Sequence, residues 1–200
     1  MPKPPLAIAA EAQRIGRLRP LEPAWLEAPE ARRAARGRRV ARDLIELSRL
    51  QRGDEQAQCA QTELASLLRE VCAGYAQLCI VGPDPLSLST DSRRLLRVIS
   101  LLLDNAVLHG QPPLRLRYDA SEVVVEDSGP GLEPKLLEHA TEPFITGRRA
   151  RGRGVGLGLA IAARQAAVLG AELSLSNAPS GGAVARLRFH AGQAAAQCSA

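Results

Sequence analysis

Aromatic residues make up only 2% of the 200 residues: two phenylalanines, two tyrosines and one tryptophan. Bases would find little to stack on, which argues against a platform for single-stranded nucleic acid. The core therefore has to be built from leucine, valine, isoleucine and alanine, within an apolar content of 46%. The four cysteines, Cys59, Cys72, Cys79 and Cys198, show no C-x-x-C spacing. They read as reduced thiols, not as a zinc site or a disulfide frame. The three histidines, His109, His139 and His190, are too scattered for a metal cluster. No apolar run approaches the ~20 residues of a membrane span, and no signal peptide is visible. These absences point to a cytosolic chain of one domain with a small appendage.

What is present begins with charge. The net charge of +5 comes mainly from arginine, a balance that suits phosphate ligands, nucleic acid or an acidic partner. The run Arg32, Arg33, Arg36, Arg38 and Arg39 falls on a helical pattern and reads as a solvated face. Residues 1–53 read as a helical hairpin. Ile8, Ala12, Ile15 and Leu18 share one face of the first helix. A proline-rich turn leads to a second, from about Glu30 to Arg52, whose stripe Val40, Leu44, Leu47 and Leu50 suits an antiparallel bundle. Residues 54–61 read as a linker, 62–190 as the main unit and 191–200 as a frayed tail.

Within the main unit Thr62 is the expected cap of a helix carrying Leu64, Leu67, Leu68 and Val71. Strands are expected at 78–81 and 86–89, joined by Gly82-Pro83-Asp84-Pro85. Thr90 or Asp91 should cap a long helix ending near His109. Strands 114–118 and 122–126 should pair, a short helix should hold Leu136 and Leu137, and a further helix should follow Leu157. Strands 172–176 and 183–189 alternate across Gly181-Gly182. Helices interleaved with mostly antiparallel strands make an α+β two-layer sandwich.

Two glycine clusters carry the chemistry. Asp127-Ser128-Gly129-Pro130-Gly131 directly follows the apolar run Val123-Val124-Val125. Gly152-Arg153-Gly154-Val155-Gly156-Leu157-Gly158-Leu159 runs straight into a helix. Glycine lets backbone approach a ligand closely, and a glycine loop opening a helix offers unpaired N–H groups to an anion. A phosphate-bearing ligand between the clusters is the reading. The aspartate heading the first cluster can accept from an exocyclic N–H₂ group such as adenine presents. Asn105 interrupts the apolar run Val98–Leu108 and is a candidate Mg²⁺ ligand, since that ion takes one or two protein oxygens plus phosphate oxygens. Arg148, Arg149, Arg151 and Arg153 suit phosphate oxygens. Phe144 reads either as an anchor for the loop between the clusters or as ordinary core.

Leu102-Leu103-Asp104-Asn105-Ala106, Asp127-Ser128-Gly129-Pro130-Gly131, Glu142-Pro143-Phe144 and Gly154-Val155-Gly156-Leu157-Gly158-Leu159 resemble, in order and spacing, four motifs of one family. They are the N box, first glycine box, F box and second glycine box of the catalytic ATP-binding domain of sensor histidine kinases. The resemblance covers about residues 62–190 and implies the Bergerat-type α/β sandwich shared with type II topoisomerases. It implies that Asn105 holds Mg²⁺ and is the catalytic residue, and that Asp127 hydrogen-bonds the adenine amino group. Gly129 and Gly131 would let backbone pass the base. His109, Phe144, Arg153, Gly154, Val155, Gly156, Leu157, Gly158 and Leu159 would complete the ATP site, and 132–153 would form a lid.

The first fifty residues extend the resemblance. Pro5-Leu6 looks like the chain just after the family's phosphoacceptor histidine, which would fall ahead of Met1, so this chain would not autophosphorylate. Asp43-Leu44-Ile45-Glu46-Leu47 resembles the second dimerisation helix. The implied partners are a response-regulator receiver domain and a second copy through the hairpin, with no nucleic acid. The implied parent protein is membrane-anchored, with this stretch in the cytoplasm. Leu101 stands where the family carries asparagine, and Leu108 where lysine or arginine is common. Both favour the alternative of a nucleotide-binding scaffold without kinase activity. A further alternative is a serine kinase of the anti-sigma type, which Asn105-Ala106-Val107-Leu108-His109-Gly110 also resembles.

Overall fold

The computed structural model describes residues 29–53, 55–147 and 154–190. The first helix of the expected hairpin, the arginine-rich stretch 148–153 and the tail from 191 lie outside the described residues. The chain divides into two compact units, 1–37 and 38–200. Of the first, the structure describes the opening of helix α1 (Pro29–Arg52), with Arg33 and Arg36 exposed. The second contains the rest of α1 and every element that follows.

Those elements are β1 (Ala60–Glu63), α2 (Leu64–Cys72), β2 (Leu78–Val81), β3 (Ser87–Thr90), α3 (Ser92–His109), β4 (Leu114–Tyr118) and β5 (Glu122–Glu126). Helices α4 (Pro134–Leu137) and α5 (Gly158–Val168) and strands β6 (Ala171–Asn177) and β7 (Ala183–Phe189) follow among the described residues. Strands β2, β4, β5, β7 and β6 form one sheet in that order, and β1 with β3 forms a second, two-stranded one. All pairs are antiparallel except β2 with β4. A parallel pair needs a long crossover, and β3 and α3 supply it. The strands either side of Gly82-Pro83-Asp84-Pro85 are therefore not a hairpin: β2 joins the large sheet and β3 pairs with β1. The stretch read as a linker ends in strand, because Ala60 and Gln61 pair with Thr90 and Ser89.

Helix α2 is capped by Glu63, not Thr62. The Glu63 carboxylate accepts from Ala65 N at 3.1 Å and Ser66 N at 2.6 Å, and from Leu86 N at 3.2 Å. Asp91 caps α3 as expected, accepting from Arg93 N and Arg94 N. Along α3, Leu95, Val98, Ile99, Leu102, Leu103 and Ala106 are buried at helical spacing. Helix α5 buries Ala160, Ile161, Ala162 and Ala166, small residues that let it lie close against α3. The core is aliphatic, as the composition requires; Leu64, Leu68, Ile99, Leu103, Leu116, Ile161, Val123 and Leu187 are fully buried. Strand β4 alternates strictly, with Leu114, Leu116 and Tyr118 inward and Arg115 and Arg117 outward.

Helix α1 is joined to this core. Leu47 and Leu50 are buried within the same cluster and Val40 packs against it, whereas Leu44 and Ile45 are exposed. The expected stripe is thus divided between the sandwich and the surface. Polar contacts reinforce the join: Arg97 of α3 bonds Asp43 at 2.9 Å and Glu46 at 2.8 Å, and Gln165 of α5 donates to Glu46 at 2.7 Å. Among the described residues no helix is long and apolar enough to cross a membrane.

Candidate functional site

Strand β5 ends at Glu126 and delivers Asp127 to the end of α3. The Asp127 N–H donates to the Ala183 carbonyl of β7 at 3.1 Å, which continues the ladder by one residue. The side chain is 9% exposed. Its Oδ1 accepts the Gly129 N–H at 2.7 Å, and Oδ2 has no hydrogen-bond partner among the described residues. The next residue stitches the loop to the segment that follows α3. Ser128 N donates to Gln111 O at 2.8 Å, and Ser128 Oγ donates to Pro113 O at 3.0 Å.

The glycines here are required by contact. Gly110 closes α3, and a Cβ on it would overlap the Asp127 carboxyl carbon. A Cβ on Gly129 would lie 2.9 Å from Asp127 Oδ1 and from the Gly110 Cα. Gly131 adopts φ +73°, and a Cβ there would lie 2.6 Å from Asn177 Oδ1. The space beside Gly131 is therefore filled by a side chain of the chain itself.

The second glycine cluster runs along the flank of α3. A Cβ on Gly154 would lie 4.0 Å from both His109 Nε2 and Leu108 Cδ2, and one on Gly158 would lie 3.8 Å from Leu101 Cδ2. Leu101, Asn105 and Leu108 are spaced by four and three residues and share one face of α3. Asn105, half-buried, thus sits on the helix face that meets this cluster. Leu101 is 4% exposed and belongs to the core, so packing between α3 and α5 accounts for an apolar residue at that position. Leu157 is buried in the core and Val155 and Leu159 pack against it, while Gly154, Gly156 and Gly158 are half-buried. Helix α5 starts at Gly158 without a side-chain cap, so its first N–H groups keep their hydrogen-bonding capacity.

Phe144 joins the two halves through its backbone. Its N–H donates to Gly156 O at 2.8 Å, and Gly156, at φ +74°, has Ile145 and Phe144 backbone where a Cβ would be. The Phe144 ring is 60% exposed, which sets aside the core-packing reading. Nearby, the Glu142 carboxylate accepts from His139 Nδ1 at 2.8 Å; this hydrogen bond and the carboxylate charge raise the His139 pKa above its ordinary value. Asp104, next to Asn105, takes the Tyr75 hydroxyl at 3.0 Å and Arg39 at 2.7 Å.

The fold therefore brings Asp127, Gly129 and the residues from Gly154 to Leu159 around the C-terminal half of α3, which carries Asn105 and His109, while Gly131 lies against Asn177 and Gly182. Arg153 lies outside the described residues. Sequence reasoning did not single out Gly110, Gly182 or Asn177 for the site. Gly110 carried a signal, since a glycine follows the last helical residue. Asn177 carried none locally, because it acts on a loop 45 residues away.

Residues 90–193 match the family model described as histidine kinase-, DNA gyrase B-, and HSP90-like ATPase. The sensor protein CseC of Streptomyces avermitilis is 39% identical over 153 residues, which is 76% of this chain and 31% of that protein. The chain thus spans about a third of the length of CseC, and 30% of the histidine-protein kinase AfsQ2 of Streptomyces coelicolor. Among solved structures, the Acinetobacter baumannii histidine kinase AdeS matches with a TM-score of 0.62 at 17% identity, covering 92% of this chain and 94% of that one. Full-length ShkA in complex with AMPPNP matches with a TM-score of 0.64 at 23% identity, covering 74% of this chain and 35% of that one. At these identities the likeness is one of fold.

Proposed function

Because the chain belongs to the histidine kinase-, DNA gyrase B- and HSP90-like ATPase family, we propose that it binds ATP and forms the phosphoryl-transferring part of a sensor histidine kinase. The observation that carries this reading is Asp127. A nearly buried carboxylate has one oxygen occupied by the Gly129 N–H and the other left to accept, which suits the adenine amino group. The start of α5 has no side-chain cap, and Gly154 and Gly158 lie beside helix α3, an arrangement that suits the phosphates. A neighbour of the same fold is known with AMPPNP, and the relatives' names as sensor proteins and histidine kinases argue against the anti-sigma alternative.

The donor set fits Mg²⁺. Asn105 offers one neutral oxygen on the α3 face beside Gly154 and Gly158. Mg²⁺ is the ion that accepts such a site, completing its shell with phosphate oxygens and water. Held by Asn105, it would neutralise phosphate charge. The chain's own part is positioning: Asp127 orients the base, α5 receives the phosphates and the α3 face aligns them. The γ-phosphoryl group then passes to a histidine presented by a helical hairpin and on to an aspartate of a receiver domain. The hairpin, residues 1–53, is the proposed dimer contact; among its described residues Leu44 and Ile45 are exposed and apolar.

Calorimetry with ATP and GTP tests the reading. ATP should bind in preference to GTP. Asp127→Ala should weaken ATP binding by ~1–3 kcal/mol, the cost of leaving a desolvated donor unpaired. Equal affinity for the two nucleotides, or an unchanged affinity in the variant, would remove the assignment.

A further inference from the structure

We infer that Asn177 is a positioning residue for nucleotide recognition: its side-chain amide clamps the loop that carries Asp127 and so sets where the carboxylate points. The inference rests on the reading of Asp127 as the acceptor for the base.

Asn177 is the last residue of β6, before the turn into β7. Its side chain makes a two-point contact with one distant residue. Oδ1 accepts the Leu132 N–H at 2.8 Å, and Nδ2 donates to the Leu132 carbonyl at 2.8 Å. An amide used this way imitates a neighbouring strand, with both its donor and its acceptor engaged. Leu132 is the residue directly after Asp127-Ser128-Gly129-Pro130-Gly131, so the clamp fixes the far end of that loop. The near end is fixed by the Asp127 N–H on Ala183 O. Both anchors belong to the β6–β7 hairpin, one on each side of its turn.

The turn itself presses on the loop between these anchors. It is closed by Ala178 N donating to Gly182 O and Gly181 N donating to Ala178 O, each at 3.0 Å. Gly182 adopts φ +96°, and a Cβ there would overlap the Asp127 carbonyl oxygen. Gly131 meets both elements at once: its missing Cβ leaves 2.6 Å to Asn177 Oδ1 and 3.2 Å to the Gly182 carbonyl. The hairpin tip therefore acts as a mould for the backbone from Asp127 to Leu132. Among the described residues the carboxylate's one hydrogen bond is from Gly129 N within the loop, so its direction follows the path of that backbone. Without the Leu132 contacts the loop would keep its start on β7 and lose the constraint at its end.

The test uses the full chain with Asn177→Ala, Asn177→Asp and Asp127→Ala. Calorimetry reads affinity for ATP and GTP, and hydrogen exchange reads the amides of Gly129 and Leu132 against those of Val123 and Val125. Asn177→Ala should weaken ATP about five-fold, the scale of a lost hydrogen-bonded pair, and leave GTP unchanged, so that the ATP preference narrows. Protection at Leu132 and Gly129 should fall while β5 stays protected. Asn177→Asp keeps the acceptor for Leu132 N–H, loses the donor to its carbonyl, and should fall between wild type and Asn177→Ala.

An unchanged ATP preference in Asn177→Ala, with Asp127→Ala strongly impaired, would overturn the clamp alone. An Asp127→Ala chain that still prefers ATP normally would overturn the reading of the site and the clamp with it. Equal loss for both nucleotides together with lost protection in β5 would mean that Asn177 serves stability only, and would also overturn the proposal.

Discussion

Glu63 shows how one side chain can tie several segments and make the tie sensitive to acid. It receives the side chain and backbone of Ser66, the backbone of Leu86 and that of Ala65, and these hydrogen bonds lower its pKa from 4.5 to about 2. The folded-state pKa is depressed, so the stability Glu63 contributes is fully present above pH 4.5 and is lost as pH falls through about 2. Urea midpoints of wild type and Glu63→Gln should therefore differ at neutral pH and draw together between those two values. The sequence placed this cap one residue early because threonine is the commoner capping residue, while the Thr62 hydroxyl donates back to Ala60 O at 3.1 Å and the helix starts at Leu64. Val124 gives a similar lesson. The run Val123-Val124-Val125 offered no alternation, and all its members are buried. Val124 lies opposite Arg117 on one side and Arg186 on the other, on the face where β4 presents its arginines. Arginine stems cover apolar surface while their heads stay in water. That covering comes from strands the local sequence does not reveal.

Among the elements, α3 is the one most fully legible in the sequence. Its cap, its period and its end at Gly110 are all local features, and the paired strands β4 and β5 were legible as two short strand-like runs either side of a short turn. The parallel pairing of β2 with β4 was not, because its partner lies beyond a crossover and leaves no period of its own. Helix α1 was legible as a helix but not in its allegiance. Its join to the sandwich uses Arg97 with Asp43 and Glu46, groups that are partly exposed, so each pair is worth little alone. As a network they should count for more. A double-mutant cycle on Arg97→Ala and Glu46→Ala should give a coupling of about 0.5–1 kcal/mol by denaturant unfolding. A coupling near zero would mean that Leu47 and Leu50 alone hold the helix.

At the scale of the molecule, the order of motifs made the site legible before its geometry, since each motif is a short local pattern. The β6–β7 hairpin entered that reading only as a turn, because its contacts to the glycine loop exist in space alone. The placement of the histidines gives a prediction about chemistry. His109 ends α3 beside Gly154, His139 is paired with Glu142 just after α4, and His190 follows β7. Transfer requires the acceptor in line with the γ-phosphate at ~3–3.5 Å, and none of these residues is carried on a segment that a hairpin delivers there. With γ-labelled ATP and magnesium the chain should acquire no acid-labile, base-stable label, whereas a supplied histidine-bearing hairpin should acquire it. Label on the isolated chain would place the acceptor among these three.

The burial of Leu47 and Leu50 bears on how the protein can be cut. The natural-looking boundary is Gly53, where the helix stops and the polar segment begins. A fragment starting there would leave the sites of both leucines open to solvent, at roughly 1.5–3 kcal/mol for each side chain withdrawn. Such a fragment should melt earlier and self-associate through the uncovered core, so its sedimentation would report a dimer that the intact chain does not use. A fragment from Arg38 keeps the whole compact unit. It is the proper reference for asking whether the segment before it brings two chains together.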